Sequence, residues 1–106
     1  MAKYMIIGSY TAEGAKGVLK EGGSSRREAA KQLIASVGGT FEAIYWGFGA
    51  DDFYVIADMP SHAAVAAASL TTGGSGTSRL RTVVLMTAED LDAASKMSPT
   101  FRPPGA

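Results

Sequence analysis

The apolar positions of the chain change period several times, and each change marks an element. "KYMIIGSY", 3–10, is short, β-branched and aromatic, which predicts a strand. "TAEGAKGVLKEGGS", 11–24, is weaker. Thr11 can cap a helix, but Gly14 and Gly17 each weaken one by about 1 kcal/mol relative to alanine. One or two helical turns are expected there, then a loop at Gly22-Gly23. After it, Ala29, Ala30, Leu33, Ile34 and Val37 fall on one helical face. Ser25-Arg26-Arg27-Glu28 reads as the capping box of that helix: the serine oxygen accepts from the Glu28 amide and Glu28 reaches back. Gly38-Gly39 stop it.

"TFEAIYWGF", 40–48, is a second strand and "DFYVIADM", 52–59, a third. Only Gly49-Ala50-Asp51 separates them, so they form an antiparallel hairpin. Pro60-Ser61 opens a helix over "HAAVAAASL", 62–70, and "TTGGSG", 71–76, reads as a flexible loop. "SRLRTVVLM", 78–86, is a fourth strand; Thr87-Ala88-Glu89-Asp90 caps a last short helix, and 97–106 is an extended tail. The order β-α-β-β-α-β is the ferredoxin-like, α+β pattern, in one domain spanning 1–106. Its usual strand order, 4-1-3-2, makes the first and third strands central. Both are apolar at both parities, while the outer strands carry Glu42, Arg79 and Arg81, as edges do.

That absence of alternation says more. An antiparallel sheet with one wet face alternates. Two central strands that do not alternate imply a cover on the second face, and the helices serve only the first. The expected cover is another copy of the sheet, giving a dimeric α/β barrel. The alternative leaves Tyr4 and Tyr54 at a half-wet surface. The alanine-rich helix has almost no charged face and offers a second interface for assemblies larger than a dimer.

Composition narrows the chemistry. Ten basic residues balance ten acidic ones, which argues against nucleic acid or an anionic membrane as partner. Cysteine is absent and histidine occurs once, so thiolate chemistry and multi-histidine metal sites are excluded. No apolar run approaches the roughly 20 residues of a membrane helix, and no secretory signal is evident. The reading is a soluble cytoplasmic protein needing no metal and no cofactor.

Candidate groups are few. Gly22-Gly23-Ser24-Ser25 lacks the lysine and the spacing of a nucleotide loop. Yet Arg26 and Arg27 sit in a first helical turn, where the dipole disfavours cations. An anion held by free amides, Ser24 and an arginine would compensate; it is a ligand's carboxylate or phosphate, Glu21, or an acid of a neighbouring subunit. Tyr45 and Trp46 lie on opposite faces of the second strand, so one of them lines either the core or a pocket between sheet and helices. The hydroxyls of Tyr10 and Tyr45 are candidates to orient a ligand or donate a proton. His62 has the one side chain whose ordinary pKa lies near neutrality, and otherwise serves as a surface or capping residue. Asp51 and Asp52 point opposite ways and suit a turn, with Asp52 within range of Arg81 as an ion pair.

The stretches "GSYTAEGAKGV", "GGSSRREAA", "GGTFEAIYWGFGADDFYVIADMP" and "FRPPG" resemble the GYD family, small bacterial proteins of the dimeric α/β-barrel fold. The resemblance runs along nearly the whole chain. It aligns Asp52 with the family's aspartate and leaves Asp51 where a tyrosine is usual, so any role of that tyrosine is lost or moves to Tyr54. Related barrel families include cofactor-free monooxygenases and lactone isomerases, an analogy of fold alone. The resemblance implies a homo-oligomer paired through its sheets. The expected function is binding of a small aromatic or carboxylate metabolite, with or without cofactor-independent catalysis. Tyr10, Tyr45 and His62 would then handle protons, Arg27 would hold the anionic end, and Ser24, Arg26, Trp46, Asp52 and Arg81 complete the candidate set. The alternative is a non-catalytic assembly or regulatory module.

Overall fold

A computed structural model describes residues 1–47 and 49–106 of the protein. The described residues form β1 (Ala2–Tyr10), α1 (Ala12–Glu21), α2 (Gly23–Ser36), β2 (Thr40–Trp46), β3 (Phe53–Met59), α3 (His62–Gly74), β4 (Ser78–Leu85) and α4 (Ala88–Ser95). The four strands make one antiparallel sheet in the order β2-β3-β1-β4. This is the ferredoxin-like arrangement, with β1 and β3 central. The expected continuation of the second strand to Phe48 falls outside the described residues.

Alternation along β1 and β3 decides which side chains meet the helices. Tyr4 and Ile6 of β1, with Phe53, Val55, Ala57 and Met59 of β3, bury against Ile34 of α2 and Val65 of α3. Tyr4 is therefore a core residue, not part of a half-wet surface. On the opposite face, away from Ile34 and Val65, Ile7 is buried, and Met5, Tyr54 and Ile56 are half-buried. Ion pairs frame that apolar face. At one end Lys3 bonds Glu42 and reaches Asp58; at the other Arg81 meets Asp51 at 2.8 Å. Glu42 foremost, and then Asp58, hold the Lys3 ammonium above its ordinary pKa; Asp51 does the same for the Arg81 guanidinium. Glu42 itself sits where the β2–β3 register slips between Phe41 and Ala43.

The structure corrects four readings near glycines. α1 runs ten residues, longer than the expected one or two turns. Thr11 caps it, accepting from the Gly14 amide at 3.2 Å, and Gly14 is buried against the start of β4. Gly22-Gly23 is not a loop. Gly22 alone, at φ 82°, closes α1 through its amide to Val18 O and opens α2 through its carbonyl to the Arg26 amide. That tight link starts α2 at Gly23, so Ser25 lies inside the helix and no side chain caps it. The Ser25–Glu28 capping box does not form; Glu28 lies 3.8 Å from Lys31 instead. Likewise α3 does not end at residue 70. Thr72 donates its hydroxyl back to Ala68 O at 2.8 Å, and the backbone stays helical to Gly74. The reversal into β4 is left to Gly76, at φ 79°. At the next junction the expected cap does form, as a reciprocal Thr87–Asp90 box heading α4.

Candidate functional site

Two cavities flank the start of α2. The first, about 100 Å³, lies between the sheet and helices α2 and α3. Ile6, Phe53, Val55, Leu33, Ile34 and Ala68 give it apolar walls; Tyr10, Arg26, Ser69, Thr72, Thr77 and Ser78 supply its polar atoms. The helical stripe legible in the sequence builds the α2 wall, because Ala29 and Ala30 are too small to close the gap that Leu33 and Ile34 bound. The second cavity, about 110 Å³, lies beside α1, bounded by Glu13, Gly14, Gly17 and Glu21. Tyr10, Arg26 and Thr77 line both and form the boundary between them.

Each boundary residue is held in place. The Tyr10 amide donates to Asp52 Oδ2 at 2.8 Å, and its hydroxyl accepts from Trp46 Nε1 at 3.0 Å. Its ring lies tilted against Phe53, centroids 5.0 Å apart. The Thr77 carbonyl accepts from the Thr11 amide at 3.0 Å. Arg26 is half-buried, with Nη1 3.4 Å from Glu21 Oε2 across the Gly22 link. Of the three anions open to it in the sequence, Glu21 is the one present within the chain.

Ser69 Oγ is buried and meets no hydrogen-bond partner among the described residues. A hydroxyl in that state costs stability, since it has lost water and gained nothing. Ser69→Ala is therefore expected to leave the unliganded protein as stable or up to about 1 kcal/mol more stable, read as a Tm rise of a few degrees in a thermal melt.

Several sequence candidates fall elsewhere. Arg27 is exposed and lines neither cavity; Ser24 is exposed in the first turn of α2. Tyr45 pairs with Tyr54 on the outer sheet face and is 65 % exposed, whereas Trp46 pairs with Phe53 on the helix face. His62 heads α3, its Nδ1 2.8 Å from the buried Tyr4 hydroxyl. Tyr4 and Tyr10 are six residues apart along β1, roughly 20 Å, so His62 and Tyr10 serve opposite ends of the sheet. Tyr10, Tyr45 and His62 do not converge. Asp52 binds the Tyr10 amide, and Arg81 pairs with Asp51 rather than with Asp52. Ser69, Thr72 and Thr77 gave no signal in the sequence beyond being polar in an alanine- and glycine-rich stretch.

The family model of the GYD domain matches residues 4–95. The chain belongs to the GYD domain family. The match starts within β1, takes in the other three strands and the walls of both cavities, and stops at the last residue of α4. No curated protein and no solved structure gives a significant match to this GYD domain. Among its described residues no cluster of His, Asp and Glu is placed to hold a metal ion, and no helix is long and apolar enough to cross a membrane.

Proposed function

We propose that this GYD-domain protein binds a small molecule with an apolar body and one anionic end in the cavity between sheet and helices. One observation carries the reading: an apolar cavity whose polar groups include a guanidinium, Arg26, and an unpartnered hydroxyl, Ser69. Buried polar groups without partners are rare, and a ligand atom is one partner that would satisfy this one. Size restricts the ligand. Pockets for drug-sized molecules run from about 300 to 1,000 Å³, while an apolar cavity of about 150 Å³ takes benzene. A space of about 100 Å³ suits a short chain, or a ring that it encloses only in part, with the carboxylate directed at Arg26.

Proton transfer to such a ligand would run through Tyr10, the one member of the tyrosine and histidine set in contact with the cavity. The separation of Tyr45 and His62 from it supports a second reading, binding without chemistry. We further propose that the outer sheet face pairs with a second copy of the chain. Support comes from its apolar centre, Met5, Ile7, Tyr54 and Ile56, ringed by the Lys3 and Arg81 ion pairs; a dry centre and polar rim is the anatomy of an interface.

The test of binding is spectroscopic. Trp46, the single tryptophan, donates to the hydroxyl of Tyr10 on the cavity wall. Titration with benzoate and with straight-chain carboxylates of increasing length is expected to change its fluorescence and to saturate. A flat response across the series, with the protein folded, overturns the binding reading.

A further inference from the structure

We propose that residues 86–106 form an arm that packs on a second copy of this chain. Every residue of this segment is exposed, although it holds the capped helix α4. It carries Met86, Leu91, Met97 and Phe101, each at least 60 % exposed. A solvated tail has no use for four large apolar side chains within sixteen residues. Nor is an eight-residue helix stable alone: isolated helices shorter than about 12 residues are marginal in water, even when well capped. α4 therefore needs a surface to pack on, and its own domain does not supply one.

The dimensions lead the same way. The chain measures 56 × 32 × 23 Å with a radius of gyration of 16.9 Å, where a compact domain of this length has about 13 Å. It exposes 7261 Å², against about 5,600 Å² for a compact monomer of 10.9 kDa. The excess, about 1,700 Å², is twice the roughly 800 Å² each partner buries in a standard interface. That surplus matches a chain that completes its burial between copies.

The second copy is the occupant because arm and outer sheet face adjoin. The arm departs from Leu85, which pairs with Lys3 at the rim of that face. When two outer faces meet, each arm's root comes to the edge of the other sheet, within reach of its neighbour. This step rests on the sheet-to-sheet pairing proposed above, and the experiment separates the two.

Leu91→Glu and Phe101→Glu, combined in the full chain, place charge on the arm without touching the core. Sedimentation equilibrium is expected to give a wild-type dimer, or a multiple of it. The double variant should show a dissociation constant raised about tenfold or more, with an unchanged circular dichroism spectrum. In a second measurement, Phe101→benzoylphenylalanine protein is refolded with an equal amount of ¹⁵N-labelled wild type and irradiated. Cross-linked peptides joining labelled and unlabelled chains are expected. Cross-links confined to one chain, or an unchanged dissociation constant, overturn the arm and leave the sheet pairing standing. A wild-type monomer at tens of micromolar overturns both.

Discussion

Gly14→Ala should lower the melting temperature by roughly 5–15 °C, about 1–3 kcal/mol, because a single added carbon collides with a backbone carbonyl. A Cβ at this position would sit 1.9 Å from Thr77 O and 2.9 Å from Thr77 C. Flexible side chains can yield to such an intrusion; this carbonyl cannot, because it already accepts from the Thr11 amide at 3.0 Å. Thr11 also donates its hydroxyl to Gly76 O at 2.8 Å while capping Gly14. The first turn of α1 and the start of β4 are thus one hydrogen-bonded unit, and room for it exists only because residue 14 lacks a side chain. Overpacking costs typically 1–3 kcal/mol, and the strained Thr11–Thr77 bond adds about 1 kcal/mol, while alanine's better helix propensity returns about 1 kcal/mol.

Gly17→Ala is the control, the same change in the same helix. A Cβ there meets nothing within 4 Å among the described residues, so only the propensity gain remains, about 0.5–1 kcal/mol of stabilisation. Paired thermal melts read the contrast directly. Equal and positive shifts for both variants would mean that α1 does not pack on Thr77, and with it the boundary between the two cavities would be wrong.

The same two glycines show what the sequence conveyed and what it withheld. Both read as helix weakeners, and locally that is right; the reason α1 nonetheless runs ten residues is a contact with Thr77, 63 positions away, which no local pattern carries. Strand positions were legible because alternation and burial in β1 and β3 are set by the same side chains that form the core. The strand order follows from the usual arrangement of the β-α-β-β-α-β pattern, and the placing of Glu42, Arg79 and Arg81 on edges agrees with it. The Ser25 capping box misled because its signature is real but Gly22 links α1 to α2 more tightly than a loop would, moving the helix start upstream. The candidate cavity is legible in part. Tyr10 and Arg26 line both cavities and Trp46 bonds the Tyr10 hydroxyl, but Ser69 is hidden in an alanine-rich helix whose interior face only the sheet defines.

Arg26→Ala is expected to weaken carboxylate binding by between about ten- and a hundredfold, and Arg27→Ala by less than about twofold. Adjacent arginines on a helix point about 100° apart, so one turn can offer only one of them to a given groove. Here Arg26 takes the inward direction and lines both cavities, while Arg27 is exposed. A hydrogen bond to a charged group contributes about 1.5–3 kcal/mol when the site is shielded from water, which sets the larger range. Arg26 also meets Glu21, but at 3.4 Å and with both side chains about two-fifths exposed, a pair of that kind stabilises the fold by at most about 1 kcal/mol. Losing it does not unfold the protein, so the affinity change is not a folding artefact. The pair does compete with the ligand for the same guanidinium. Glu21→Gln therefore tightens binding as Arg26→Ala weakens it, and this opposite response distinguishes an anion-binding arginine from one that merely braces the Gly22 link. Benzoate titrations followed through Trp46 measure all three variants; equal effects at positions 26 and 27 would remove Arg26 from the site.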